Sequence, residues 1–297
     1  MHKTKNWDDL RFVLAVSEAG SVNAASTRLG VNHATVLRRI AAFEARHGVR
    51  IFDRDAKGYR ATDASARILA AAKQVEEAYH SLERLVSGHD AQLRGTVRLT
   101  STDTFSTTVL PDILADFRRA EPEITIEMQV TNAHVNLARL DADVTVRPAQ
   151  KLPEDMIGSP AAKLGFAVFG RRDLLSQMRQ SNGDPPPWVA AGALLDGSLP
   201  GRWMLNNIPQ DQIVARADSF VSLMYLARAG LGLALLPCCL ADRDDGLVRL
   251  TASHPEVVVD LWVASHKDMA EVPRIQAVKQ FLHKALGKQK RFLLGDY

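Results

Sequence analysis

Two adjacent arginines, Arg38 and Arg39, follow His33 and Thr35 in a stretch where Val36, Ile40 and Phe43 repeat by four and three. That spacing predicts a helix from His33 to about Arg46, with the apolar set inward and the four polar residues on the other side. Arginine, histidine and threonine on an exposed helical face can address phosphates and base edges in a major groove. Three more cations, Arg54, Lys57 and Arg60, stand on a segment that alternates like a small hairpin, a tip suited to phosphates or a minor groove. The chain is poor in catalytic constellations. It has no P-loop, no Gly-x-Ser-x-Gly elbow and no His/Cys spacing for a metal. His254, His266 and His283 are scattered, and Cys238 and Cys239 are adjacent. Neighbouring cysteines cannot build a disulfide framework; at a strand end they belong to a core or, as an alternative, to a redox switch.

These residues need elements that hold them in place. Leu10, Val13, Leu14 and Ala15 after Trp7 form a helical stripe ending at Gly20, where Ser21 caps a short second helix to about Leu29. Small residues there (Ala24, Ala25, Ser26) let another helix cross closely. Gly30 supplies a left-handed turn and Asn32 caps the third helix. Two helices joined by a glycine turn, the second cationic, form the helix-turn-helix pattern. Strands over Val49–Phe52 and Tyr59–Thr62 flank a turn at Asp55–Gly58 and make the wing. A long helix from Thr62 to about Ser87 then carries Ala64, Ala71, Ala78 and Leu85 at intervals of seven, with Ile68, Val75 and Leu82 in a second series. That is a heptad seam for a paired helix.

Charge agrees with this division. Residues 1–60 hold 11 Lys/Arg against 6 Asp/Glu, and the other 237 hold 26 against 28, within a net charge of +3 over 297 residues. A basic head on a near-neutral body points to a polyanion at the head. The N-terminus lacks the apolar core of a signal peptide, no apolar run reaches membrane-spanning length, and the cysteine usage suits a reducing cytoplasm. A secreted solute-binding protein is thereby disfavoured.

The motifs Trp7–Phe12, Gly20–Ala25, Val36-Leu37-Arg38-Arg39-Ile40 with Phe43-Glu44, and Gly48–Arg54 with Gly58-Tyr59-Arg60 together resemble the LysR-type transcriptional regulator family. Three departures stand out: Leu37 where serine is common, His33 near a usual glutamine, and Ser65 for glycine. Leu37 cannot donate to phosphate but can touch a thymine methyl. The resemblance implies an α+β multidomain fold: an N-terminal winged helix-turn-helix over 1–61, a dimerising linker helix over 62–88, and a C-terminal two-lobed α/β effector domain over 89–297, like a periplasmic binding protein. It implies a DNA-contacting set of Ser21, Asn23, Asn32, His33, Thr35, Leu37, Arg38, Arg39, Arg54, Lys57 and Arg60. It further implies a homodimer or homotetramer on a pseudo-palindromic promoter site in double-stranded DNA, contact with RNA polymerase, no cofactor, no metal and no enzymatic activity.

From Gly95 onward, short apolar strands alternate with helices, predicting a mainly parallel sheet. Strands are expected at Thr96–Thr100, Ile124–Met128, Val144–Val146, Leu164–Phe169, Trp203–Leu205, Gln212–Val214, Leu231–Pro237 and Val257–Ala264. Helices are expected at Val109–Arg119, Val135–Leu140, Phe220–Ala229 and Arg274–Leu286. One lobe would comprise about 89–163 and 265–297, the other about 164–264. Matching stretches include Leu110-Pro111, Pro122-Glu123-Ile124, Asp141–Val144, Ala229–Gly232 and Leu236-Pro237. Ligands of open α/β sheets sit beyond the strands' carboxyl ends. The candidate effector residues are therefore Ser101, Thr102, Thr104, Thr131, Asn132, Ser219 and Arg147, the last able to clamp a carboxylate. The expected function is DNA-binding transcription regulation controlled by a small, anionic metabolite; an architectural DNA binder without an effector is the alternative.

Overall fold

The computed structural model describes residues 8–55, 58–87, 93–132, 142–174 and 185–296. The chain divides into two compact units, Met1–Val86 and Ser87–Tyr297.

The first unit packs helices α1 (Asp8–Ala19), α2 (Val22–Leu29) and α3 (His33–His47) around Phe12, Val16, Ala25, Val36, Ile40 and Phe43. Ser21 Oγ accepts from Ala24 N at 3.2 Å, and Asn32 Oδ1 from Thr35 N at 2.8 Å, so both expected caps form. Gly30 closes α2 at φ 65°, a left-handed conformation that a side chain would strain. A hairpin follows, strands β1 (Phe52–Asp55) and β2 (Gly58–Ala61), antiparallel with Phe52 opposite Ala61. Its first strand starts three residues later than the alternation suggests. Val49 N is still bonded to Glu44 O, so these residues complete the helix end rather than a ladder. The 3₁₀ turn Asp63–Ser65 leads into α4 (Ala66–Ser87). Ser65 is buried and donates to Thr62 O at 2.7 Å, fastening that turn.

Two carboxylates tie α3 to its surroundings. Asp9 on α1 is only 1% exposed; its Oδ1 lies 3.0 Å from Arg39 Nη1 and its Oδ2 2.7 Å from Arg46 Nη2. Arg39 and Arg46 are seven residues apart, two turns on the same face of α3. Glu44 Oε1 accepts from Ile51 N at 2.7 Å and Phe52 N at 3.2 Å, anchoring the hairpin to the same helix.

The second unit contains two lobes. In the first, five strands lie in the order β4-β3-β5-β12-β6: β3 (Gly95–Ser101), β4 (Ile124–Val130), β5 (Val144–Pro148), β6 (Met156–Leu164) and β12 (Val259–His266). β3 is parallel to β4 and β5, but β12 runs antiparallel to both its neighbours. The sheet is therefore mixed: β6 points the same way as β3, β4 and β5, and β12 runs against all four. The chain crosses to the other lobe after β6 and returns through β12. Because β12 begins at Val259, the return to this lobe comes earlier than the expected residue 265. Helices α5 (Asp103–Thr108) and α6 (Leu110–Ala120) follow β3.

The second lobe holds strands β7 (Phe166–Gly170), β8 (Trp188–Ala191), β9 (Ile213–Ala217), β10 (Ala234–Pro237) and β11 (Val248–Arg249). They pair as β10-β7-β11 and β8-β9, joined by a bridge from Trp188 to Leu233. Its helices are α7 (Ala193–Asp196), α8 (Leu199–Asn207), α9 (Phe220–Arg228) and α10 (Cys238–Ala241). Trp203–Leu205, expected as a strand, lies inside α8. Ser198 Oγ accepts from Gly201 N at 3.0 Å, and Pro200 sits in the first turn, which commits this segment to a helix. The chain closes with α11 (Pro273–Lys288), longer than expected, and α12 (Lys290–Leu294). The expected helix Val135–Leu140 lies outside the described residues. Among those described, no helix is long and apolar enough to cross a membrane.

Asp9→Ala should lower head stability by about 2–3 kcal/mol, since it leaves two arginines facing an emptied buried site. Differential scanning calorimetry reads this directly, and an unchanged melting temperature would show the clamp to be idle. Cys238 and Cys239 are buried, and burial pushes both thiols up to about 12. Since the thiolate is the reactive form, neither should take a thiol reagent at pH 8 until the chain is unfolded. Rapid native labelling would restore the redox-switch reading.

Candidate nucleic-acid interface and effector cavity

In the head, α3 displays His33 and Arg38 as exposed side chains and Thr35 as half-buried. Asn23, on α2, is exposed, and Arg60 on β2 is exposed as well. Ser21 and Asn32 are engaged as caps, so their oxygens already hold helix amides. Two residues have a structural part as well. Arg39 belongs to the Asp9 clamp and stands 5.5 Å from the Phe12 ring centroid, so its guanidinium braces α3 against α1 while its side chain stays half-buried. Leu37 is half-buried and packs on the head core. The Arg54 side chain and Lys57 lie outside the described residues. Arg50, which the spacing did not single out, is exposed beside the hairpin and pairs with Asp53 at 3.4 Å. The result is one cationic helix face with a hairpin fixed beside it.

In the second unit, the carboxyl ends of β3, β4 and β5 come together because these strands are mutually parallel. Beyond them lies a cavity of about 420 Å³, lined by Thr102, Thr104, Asn132 and Arg147 from the expected set. Arg147 is 8% exposed, and its Nη2 donates to Thr100 Oγ1 at 3.2 Å. Burial lowers its pKa to about 10, which still leaves it cationic near neutral pH. Thr102 precedes α5 but makes no side-chain cap, so that hydroxyl is not consumed by the helix.

Three expected residues do not line the cavity. Ser101 is fully buried and donates to Val146 O at 2.7 Å, stitching β3 to β5. Ser219 caps α9 by accepting from Ser222 N at 3.0 Å and donates to Asp103 Oδ2. That second bond crosses from one lobe to the other. Thr131 gives its backbone amide to Ser101 O at 3.0 Å.

Sequence reasoning missed much of the lining. Gln150 and Lys151 follow β5 directly and share the strand-end position that singled out Arg147; that signal was present. Trp262 Nε1 donates to Ala149 O at 2.9 Å and steadies this loop, while Arg202 of α8 reaches Gln150 Oε1 at 3.2 Å. The apolar wall of Phe105, Phe166, Leu199 and Phe220 had no local signature, because its members come from four elements. Among the described residues, no group of His, Cys, Asp and Glu could hold a metal.

Comparison with known proteins agrees with both units. Residues 7–66 match the model of the bacterial regulatory helix-turn-helix protein, lysR family, and residues 90–287 that of the LysR substrate binding domain. A mau operon transcriptional activator of Paracoccus denitrificans is 32% identical over 142 residues, 48% of this chain and 50% of that protein. The chain thus spans about half the length of that relative. The regulator CbbR of Xanthobacter flavus is 26% identical over 292 residues, covering 93% of this chain and 86% of its own. Full-length AphB, a Vibrio cholerae virulence activator, has the same fold with TM-score 0.59 at 19% identity, covering 93% of this chain and 97% of its own. CbnR, solved with its target DNA, superposes with TM-score 0.58 at 18% identity, over 94% and 99% of the two chains. With its head and body both matched by the models of one family, the chain belongs to the LysR family of DNA-binding transcription regulators.

Proposed function

We propose that this regulator grips a promoter site through α3 and the adjacent hairpin, and that an organic anion in the cavity controls it. Arg147 carries the second half of the reading. A guanidinium held almost wholly away from water, on the wall of a 420 Å³ cavity, is an anchor for a negative charge. On the head, exposed Arg38 and His33 meet bases, while Arg60 and the hairpin meet the backbone.

Pairing of two heads follows from α4. Leu69 and Ala72 are buried toward the head, whereas Val75, Tyr79 and Leu82 are 41%, 41% and 56% exposed. Ala64, Ala71 and Ala78 are exposed too, so most of the heptad seam lies open to a second copy. Two copies present two recognition helices to two half-sites of a pseudo-palindrome. Further assembly to a tetramer, RNA polymerase contact and action in the cytoplasm belong to the same reading.

Arg38→Ala should weaken binding to a tight duplex obtained by iterative enrichment by about tenfold or more, and binding to random duplex far less. Equal losses in a gel-shift titration would make Arg38 a phosphate contact only. Arg147→Met should leave DNA affinity intact and hold or raise the melting temperature, since a buried cation is replaced by an apolar chain of similar length. It should also abolish every anion-dependent change in DNA binding. An anion response that survives the substitution would move the effector site elsewhere, and a native chain deaf to all anions would favour the architectural reading.

A further inference from the structure

The two lobes bring unequal chemistry to the cavity. The first supplies Thr102, Thr104, Asn132, Arg147, Gln150 and Lys151, two of them cations, with Phe105, Leu164 and Val259 as apolar neighbours. The second supplies Phe166, Leu195, Leu199, Phe220 and prolines, with Ser198 as its one polar side chain among the described lining residues. Ser198 Oγ is already engaged on both sides, accepting from Gly201 N at 3.0 Å and donating to Leu195 O at 2.6 Å. Phe166 and Phe220 form a tilted aromatic pair with ring centroids 5.4 Å apart. No aspartate or glutamate occurs among the described lining residues.

An anion entering this space meets cations at one end only. A second charge or a hydroxyl-rich body would lie against the apolar wall, stripped of water and given no partner there. A hydrocarbon body instead covers that wall and is held by it. We propose that the cavity selects an organic monoanion: a single carboxylate held at the first lobe by Arg147, with an aryl or alkyl body against Phe166, Phe220 and Leu199 of the second. This rests on the cavity being the effector site. Dicarboxylates, sugar phosphates and small inorganic anions are the ligands it rejects. Such a molecule touches both lobes at once, beside the bond from Ser219 to Asp103 that already joins them.

The test uses the full chain and four probes in calorimetry: 3-phenylpropanoate, its neutral amide 3-phenylpropanamide, glutarate and acetate, each at millimolar concentration. The acid should bind, and the other three should bind at least about tenfold more weakly. Leu199→Lys sets a cation on the apolar wall and should move the preference about tenfold toward glutarate. A far-ultraviolet circular dichroism spectrum matching that of the native chain establishes that it folds. If glutarate binds the native chain as tightly as the phenyl acid, and Arg147→Met abolishes both, the amphipathic ligand is overturned while the cavity stands as an anion site. An amide as tight as its acid overturns the anion. Failure of all four overturns the proposal together with the reading of the cavity.

Discussion

A cation withdrawn from water must be compensated where it lies, and Arg147 lies at the carboxyl edge of a sheet facing a largely apolar cavity. Thr100 Oγ1 and the carbonyl of Ser101 accept from its Nη2, and burial lowers its pKa. Such a residue is a poor way to stabilise a lobe and a good way to hold a negative ligand. The sheet topology sets this up: the parallel β3, β4 and β5 end together, and the antiparallel β12 braces β5, with Trp262 opposite Arg147 in the register. A rigid strand, not a loop, therefore holds the charge.

The head solves a related problem with opposite emphasis. A recognition helix has to remain exposed on one face while its other face and both ends are fixed. The buried Asp9 grips two turns of α3 through Arg39 and Arg46, and Glu44 holds the hairpin amides. The arginines on this helix therefore divide between those paired with Asp9, Arg39 and Arg46, and the exposed Arg38.

Residue spacing carried part of that division: Arg39 stands three after Val36 and four before Phe43, on the flank of the apolar stripe, whereas Arg38 lies opposite it. The partner of Arg39 was not legible, because Asp9 is thirty positions away and only folding brings it near. The same limit hid the apolar wall of the cavity, assembled from α5, β7, α8 and α9. Local signals did better. Ser21, Gly30 and Asn32 behave as caps and turn because their chemistry acts on adjacent backbone, and the strand-end rule led to Thr102, Thr104, Asn132 and Arg147. Where two local signals competed, as in α8, the apolar triplet Trp203–Leu205 suggested a strand. The cap at Ser198 and Pro200 decided for a helix. The antiparallel return strand β12 was legible as a strand but not in its direction, which depends on where the chain crosses between lobes.

The central claim is that the buried guanidinium receives a ligand's only charge. A crystal structure of the chain grown with a bound arylalkanoate tests it most directly. The account predicts carboxylate oxygens about 2.8 Å from the Arg147 nitrogens, with the ring against Phe220. A carboxylate seated on the exposed Lys151 with Arg147 untouched, or a ring turned toward the first lobe, would contradict it.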